Sequence, residues 1–194
     1  VDLGERDGTF AFGANISNIG AKISYSETLE RDFIPINMRI GAALTTELDN
    51  YNKISIMADF NKLLVPTPPV YRVDSNGAYK IAKGEDPNRS VVAGMLGSFS
   101  DAPGGFEEEL REITAGVGLE YWYDNQFALR GGYFYEHETK GNRKYFTMGV
   151  GFKYNVLGLD FSYLIPVEQR NPMENTLRFT LRFNFESFQN QQNN

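Results

Sequence analysis

The feature that most constrains the fold is a strict two-residue alternation near the C-terminus. Between Leu177 and Phe185 every odd position carries leucine or phenylalanine, and every even position carries arginine, threonine or asparagine. Side chains of a β-strand point alternately to its two faces. This segment is therefore predicted to be a strand with one apolar face and one polar face.

The same alternation recurs along the chain and predicts about eight strands. They lie near residues 8–16, 34–48, 53–64, 111–123, 126–137, 143–154, 157–166 and 176–186. Several exceed the roughly five or six residues usual in soluble strands and reach the ~9–11 of a tilted spanning strand. The sequence therefore predicts an all-β fold: an antiparallel transmembrane β-barrel in residues 1–188, followed by a polar tail at 189–194.

The predicted connections alternate between short and long. The short turns, at 49–50, 124–125 and 155–156, contain Asn or Asp, which tolerate left-handed backbone. The long connections are 17–33, 65–110, 138–142 and 167–175. Outer-membrane barrels have short periplasmic turns and longer extracellular loops. Residues 65–110 are therefore predicted to be an extracellular loop insertion, partly helical near 90–100 and 107–109.

Composition narrows the class of protein further. Aromatic residues make up 14% of the chain, and mean hydropathy is only −0.40, as in barrels where every second residue meets lipid. A net charge of −6 without a basic stripe argues against nucleic acid as a partner. A soluble β-sandwich or lipocalin-like barrel stays open, because its sheets also have one apolar face. Glycines on the polar face, alternating loop lengths and aromatics at strand ends favour the membrane barrel.

Residues suited to catalysis or metal binding are few. The single histidine, His137, is a conceivable member of a serine–histidine–carboxylate arrangement, but an isolated histidine at a loop edge more often faces solvent. The carboxylates at 107–109 are conceivable cation ligands, but such runs more often form a solvated face. There is no cysteine. The sequence thus predicts no catalytic residue, no metal site and no cofactor.

Six segments resemble one family, the PorV (also called LptO) proteins of the Bacteroidetes type IX secretion system. They are 58–69 (ADFNKLLVPTPP), 98–106 (SFSDAPGGF), 120–123 (EYWY), 128–137 (ALRGGYFYEH), 141–143 (GNR) and 175–185 (NTLRFTLRFNF). The family resembles FadL-type outer-membrane barrels of fourteen strands. The resemblance implies that this chain supplies about eight C-terminal strands of such a barrel.

The resemblance also implies a function without enzymatic activity. PorV proteins bind secreted cargo that carries a C-terminal signal domain. They pass it from the translocon to the cell-surface attachment complex, which contains the sortase-like protein PorU. The other functions left open are a FadL-like channel for hydrophobic small molecules and the lipopolysaccharide deacylation also linked to the family.

Candidate partner-binding residues lie in the 65–110 loop. Pro66, Pro68 and Pro69 stiffen its first residues and are expected to set the direction in which it leaves the barrel. Phe99 and Phe106 are expected to offer apolar anchors to a partner. The partners that the family resemblance implies are cargo, the translocon, the attachment complex and outer-membrane lipid.

Overall fold

The computed structural model describes residues 8–24, 31–167 and 176–184. Ten strands are present in these residues: β1 (Gly8–Ser17), β2 (Asn37–Glu47), β3 (Asn52–Leu63), β4 (Val70–Val73), β5 (Tyr79–Lys83), β6 (Thr114–Tyr123), β7 (Phe127–Tyr135), β8 (Tyr145–Tyr154), β9 (Leu157–Pro166) and β10 (Leu177–Phe183). Two short α-helices, α1 (Val91–Gly97) and α2 (Phe106–Arg111), and a 3₁₀-helix (Glu138–Lys140) complete the fold. Neither α-helix is long and apolar enough to cross a membrane.

Eight of the strands form one antiparallel sheet in the order β1-β2-β3-β6-β7-β8-β9-β10. This confirms the predicted all-β, antiparallel fold and its eight alternating segments. Strands β1 and β10 are the two edges of this sheet and do not pair with each other in the described residues. Phe185, residues 168–175 of the last long connection and the tail at 189–194 lie outside the part of the chain that the structure describes.

The connection between β3 and β6 differs from the prediction in two ways. Strand β6 begins at Thr114 rather than near residue 111, because 106–111 form α2. No strand was predicted between residues 65 and 110, but residues 70–83 fold into the β4–β5 hairpin. The predicted helix near 90–100 is confirmed as α1, which Ser90 caps by accepting a hydrogen bond from the Ala93 N–H.

The short turns use two kinds of turn chemistry. Asp124, Asn125 and Asn155 have φ angles of 51°, 52° and 49°, which confirms the predicted left-handed backbone. The turn at 49–50 has no positive φ angle. There the Asp49 carboxylate accepts hydrogen bonds from the backbone N–H groups of the following turn residues, at 2.8 and 2.9 Å. The sequence therefore predicted this turn and its Asp and Asn residues correctly, but the predicted left-handed backbone was wrong. The Asp49 side chain stabilises the turn instead.

The apolar face of the large sheet is exposed. Phe12, Met148 and Phe179, on three different strands, are each about two-thirds exposed. The buried apolar side chains of the described residues are few: Ile36, Leu64, Ala102, Ala128 and Leu164. Continuous apolar surface on this scale needs an apolar environment or a partner.

Candidate functional site

The connection between β3 and β6, residues 64–113, is here termed the long loop. It folds back against the end of the sheet. At its start the Leu64 N–H donates a 2.8 Å hydrogen bond to the Ile36 carbonyl, and both side chains are buried. Helix α1 packs closely against Phe33, because a Cβ atom added at Gly94 would lie 2.5 Å from that ring. The close packing indicates that the loop has a defined position.

An ion-pair network, here termed the clamp cluster, holds the long loop in that position. It consists of Lys62, Thr67, Glu108, Glu109, Glu112 and Lys140. The Lys62 ammonium lies 2.9 Å from a Glu109 carboxylate oxygen and 2.7 Å from a Glu112 oxygen. Only 5% of Lys62 is exposed. A buried ammonium is stable only when it is paired in this way.

Glu112 joins the parts of the clamp cluster. Besides Lys62, it accepts hydrogen bonds from the Lys140 ammonium at 2.9 Å and from the Thr67 hydroxyl at 2.7 Å. Lys140 also lies 2.7 Å from a Glu108 oxygen. The cluster thus connects the end of β3 and the adjoining start of the long loop to α2 and the 3₁₀-helix, which lie about 40 and 75 positions further along the chain.

The pairing shifts the pKa values of three members of the cluster, Glu108, Glu112 and Lys140. Burial alone would raise the pKa of the Glu112 carboxyl, but hydrogen bonds from Lys62, Lys140 and Thr67 outweigh burial and lower that pKa. The hydrogen bond from Lys140 likewise lowers the pKa of Glu108. Burial would lower the pKa of Lys140, but its hydrogen bonds to Glu108 and Glu112 raise it. At neutral pH each of these groups is therefore held in its charged form.

We expect the docking of the long loop to depend on pH at both extremes. A carboxyl whose pKa is lowered on folding stabilises the docked loop above the ordinary glutamate pKa of about 4.3, and this is lost as pH falls through the folded value. Lys140, with its raised pKa, stabilises it below about 10.4, and this is lost as pH rises through the folded value. Limited proteolysis with an acid-tolerant protease should cut residues 64–113 faster at pH 3 than at pH 6. Unchanged cutting across that range would contradict the expectation.

Asp101 is a second buried carboxylate of the long loop. One of its oxygens accepts a hydrogen bond from the Thr67 N–H at 3.3 Å, and the other has no partner in the described structure. Burial raises the pKa of this carboxyl. The pH dependence from Asp101 is therefore opposite to that from Glu108 and Glu112, because protonation favours the buried, neutral form of Asp101.

The predicted partner-binding residues fall into two groups. Pro66 and Pro69 are half-buried at the start of the long loop, and Pro68 beside them is exposed. Phe99 is about half exposed and Phe106 is 74% exposed. The prolines thus lie where the loop leaves the sheet, and the two phenylalanines lie on its surface. Their role in partner binding stays a prediction.

The residues considered for catalysis or cation binding have structural contacts. His137 precedes the 3₁₀-helix, and its ring nitrogen accepts a 3.3 Å hydrogen bond from the Thr139 N–H. Glu108 and Glu109 contact lysines of the clamp cluster, and Glu107 lies 3.8 Å from Arg111. Among the described residues no group of acidic or histidine side chains could hold a metal ion.

The polar face of the sheet carries a second ion-pair network. Arg130 lies 2.5 Å from both Glu120 and Asp160, and Asp160 also pairs with Arg182. These four side chains link β6, β7, β9 and β10. Strand β8 crosses beneath them at Gly151, where an added Cβ would lie 2.8 Å from both Arg130 and Asp160. Glycine at this position therefore permits the network to cross the strand.

A cavity of about 750 Å³ adjoins this network near the short turn at 155–156. Its lining includes the apolar side chains of Trp122, Phe152 and Phe183, together with Arg130, Asp160 and Arg182. Charged residues on the polar face of such a sheet can either line a hydrated lumen or pair with one another. For these residues the structure shows pairing.

Part of the chain matches the sequence model of a known protein family. A family model described as "Type IX secretion system protein PorV" matches residues 2–70, a segment that spans β1, β2, β3 and the start of the long loop. Over these residues, which are less than half of the chain, the protein is similar to the PorV family. The match supports a component of the type IX secretion system, and the antiparallel sheet fits an outer-membrane protein. A search of curated proteins found no match.

Sequence analysis missed the clamp cluster, although one residue signalled it. In β3 the apolar face reads Ile54, Ile56, Ala58 and Phe60, and the next residue on that face is Lys62. A lysine at the end of an apolar row needs a buried partner or access to water. The partners, Glu109 and Glu112, lie about fifty residues away. No local pattern identifies them.

Proposed function

We propose that this chain is part of an outer-membrane barrel that binds secreted cargo through the long loop. The barrel comprises residues 1–188 with the loop insertion at 65–110, and 189–194 form a polar tail. The cargo carries a C-terminal signal domain and passes from the translocon to the surface attachment complex. The family match supports the secretion role, and the exposed apolar face of the sheet supports a location in lipid.

One observation favours the long loop as the cargo-binding surface. The clamp cluster holds the loop in one position, while large apolar side chains remain exposed on it. Phe106 is 74% exposed and Phe99 is 48% exposed. A pre-organised surface with apolar anchors is what tight protein recognition requires.

The two alternative functions find less support. A channel for hydrophobic small molecules needs an apolar path, and the Glu120–Arg130–Asp160–Arg182 network crosses the polar face. Deacylation of lipopolysaccharide needs a nucleophile next to His137. The neighbour of that ring is Thr139, in a contact that caps the 3₁₀-helix.

Replacing residues 74–100 with a short Gly/Ser linker tests the proposed function. The strands of the large sheet are untouched, so the full-length protein should still assemble and remain heat-modifiable on gels. Cargo should accumulate in the periplasm or fail to co-purify with the variant. Normal secretion and anchoring of cargo by the variant would show that the long loop is not the binding surface.

A further inference from the structure

The β4–β5 hairpin projects from the long loop as a separate small sheet. The two strands pair only with each other, and every residue of both is exposed. A single two-stranded hairpin is at best marginally stable in water and usually needs a covering surface. No strand of the described chain pairs with its outer edges.

One face of the hairpin is apolar. Tyr71 lies opposite Ile81, and Val73 lies opposite Tyr79. Because these pairs alternate with the Arg72–Lys80 pair, all four apolar side chains lie on the same face. Tyr79 is 78% exposed and Val73 is 58% exposed. Cross-strand neighbours of this size form a continuous apolar strip.

The hairpin is basic in a chain that is acidic. Residues 70–83 contain Arg72, Lys80 and Lys83 and a single carboxylate, Asp74. The whole chain has a net charge of −6. The excess positive charge is therefore local to the hairpin. It favours an acidic partner over a second copy of the same basic hairpin.

The turn of the hairpin is pre-organised. One Asp74 oxygen accepts hydrogen bonds from the Asn76 and Ala78 N–H groups at 2.9 and 3.0 Å, and the other lies 2.9 Å from the Lys80 ammonium. The Lys80 hydrogen bond and these two backbone bonds lower the pKa of Asp74. A fixed turn keeps both strands in register before any partner arrives, which lowers the entropy lost on binding.

We propose that this hairpin is the part of the long loop that binds the cargo signal domain. An acidic, strand-containing surface of the signal domain packs on the Tyr71–Val73–Tyr79–Ile81 strip and pairs with the basic residues around it. Free strand edges beside an apolar strip suit a β-structured partner, since an added strand satisfies backbone groups while alternate side chains enter pockets. This inference rests on the proposed function and narrows it to one surface.

Two paired variants of the full-length protein test the hairpin. V73T with Y79T removes apolar surface and keeps residues that favour strands. R72Q with K83Q removes charge and leaves the Asp74–Lys80 pair intact. The matched control, V92Q with L96Q, removes equally exposed apolar surface from α1 of the same loop. The probe is a purified signal domain of a secreted substrate, and its Kd is measured on detergent-purified protein.

We expect the hairpin variants to raise the Kd for the signal domain about tenfold or more, which is the effect of losing a central binding residue. We expect the α1 control to change the Kd by less than about twofold. The R72Q/K83Q variant should also bind with a weaker dependence on salt than the natural protein. A photo-crosslinker at position 79 should couple to the signal domain, and one at position 96 should not. This second measurement keeps the other hairpin residues, Val73, Arg72 and Lys83, unchanged and so does not depend on the folding of the paired variants.

Three outcomes would overturn the inference in distinguishable ways. If the natural protein binds the signal domain and the hairpin variants bind it with the same affinity, the hairpin is not the binding surface. The proposed function would not be contradicted by that result. Failure of the natural protein to bind the signal domain would contradict both. Loss of binding to phosphatidylglycerol vesicles, with signal-domain affinity unchanged, would assign the hairpin to the lipid surface instead.

Discussion

Replacing Lys62 with alanine should release the long loop from the sheet. The change leaves Glu109 without its cation and removes one of the two cations of Glu112. Removing one partner of a buried ion pair typically costs about 3–5 kcal/mol, because the remaining charge stays buried and uncompensated. Hydrogen exchange should show residues 64–113 losing protection, while strands β7 and β8 keep theirs.

The Arg39–Asp59 pair provides a matched control for Lys62. This pair joins the neighbouring strands β2 and β3. Its charged atoms are 3.6 Å apart, and both side chains are about half exposed. Exposed pairs of this kind contribute about 0–1 kcal/mol. Arg39→Ala should therefore leave loop protection nearly unchanged. Similar effects of Arg39→Ala and Lys62→Ala would mean that the clamp cluster does not hold the loop.

Placing arginine at Val150 should destabilise the protein in membranes. Val150 lies near the middle of β8, on the apolar face with Met148, and is about half exposed. A cationic side chain facing lipid near the bilayer midplane costs about 2–4 kcal/mol. Urea unfolding from lipid bilayers measures this loss for the full-length protein.

Thr147 is the control for Val150, because it lies on the polar face of the same strand. Its hydroxyl is near Gly132, where an added Cβ would lie 2.8 Å from it, so it faces the glycine-lined side of the sheet. Thr147→Arg should cost much less than Val150→Arg. Equal costs at the two positions would show that the apolar face does not meet lipid.

The sheet was predictable because its signal is local. Each strand carries its own alternation, and a one-residue error of register would exchange the apolar and polar faces. The residues Asp124, Asn125 and Asn155 made two of the short turns predictable, since a left-handed backbone favours Asn and Asp. Local patterns of this kind need no information from distant parts of the chain.

The long loop was predictable only in part. Helix α1 has apolar residues at helical spacing and a serine cap, and both are visible in the sequence. The β4–β5 hairpin has strands of only four and five residues in a polar setting, too short for periodicity to stand out. The clamp cluster depends on contacts between residues up to about eighty positions apart, such as Lys62 and Lys140 through Glu112.

We propose that the long loop is displayed at the cell surface and that the short turns face the periplasm. Single cysteines at Ser75, in the hairpin turn, and at Asn125, in a short turn, test it directly because the chain has no cysteine of its own. On intact cells an impermeant thiol reagent should label the cysteine at position 75 and leave the one at 125 unlabelled until the outer membrane is opened. Labelling at 125 and protection at 75 would contradict the account.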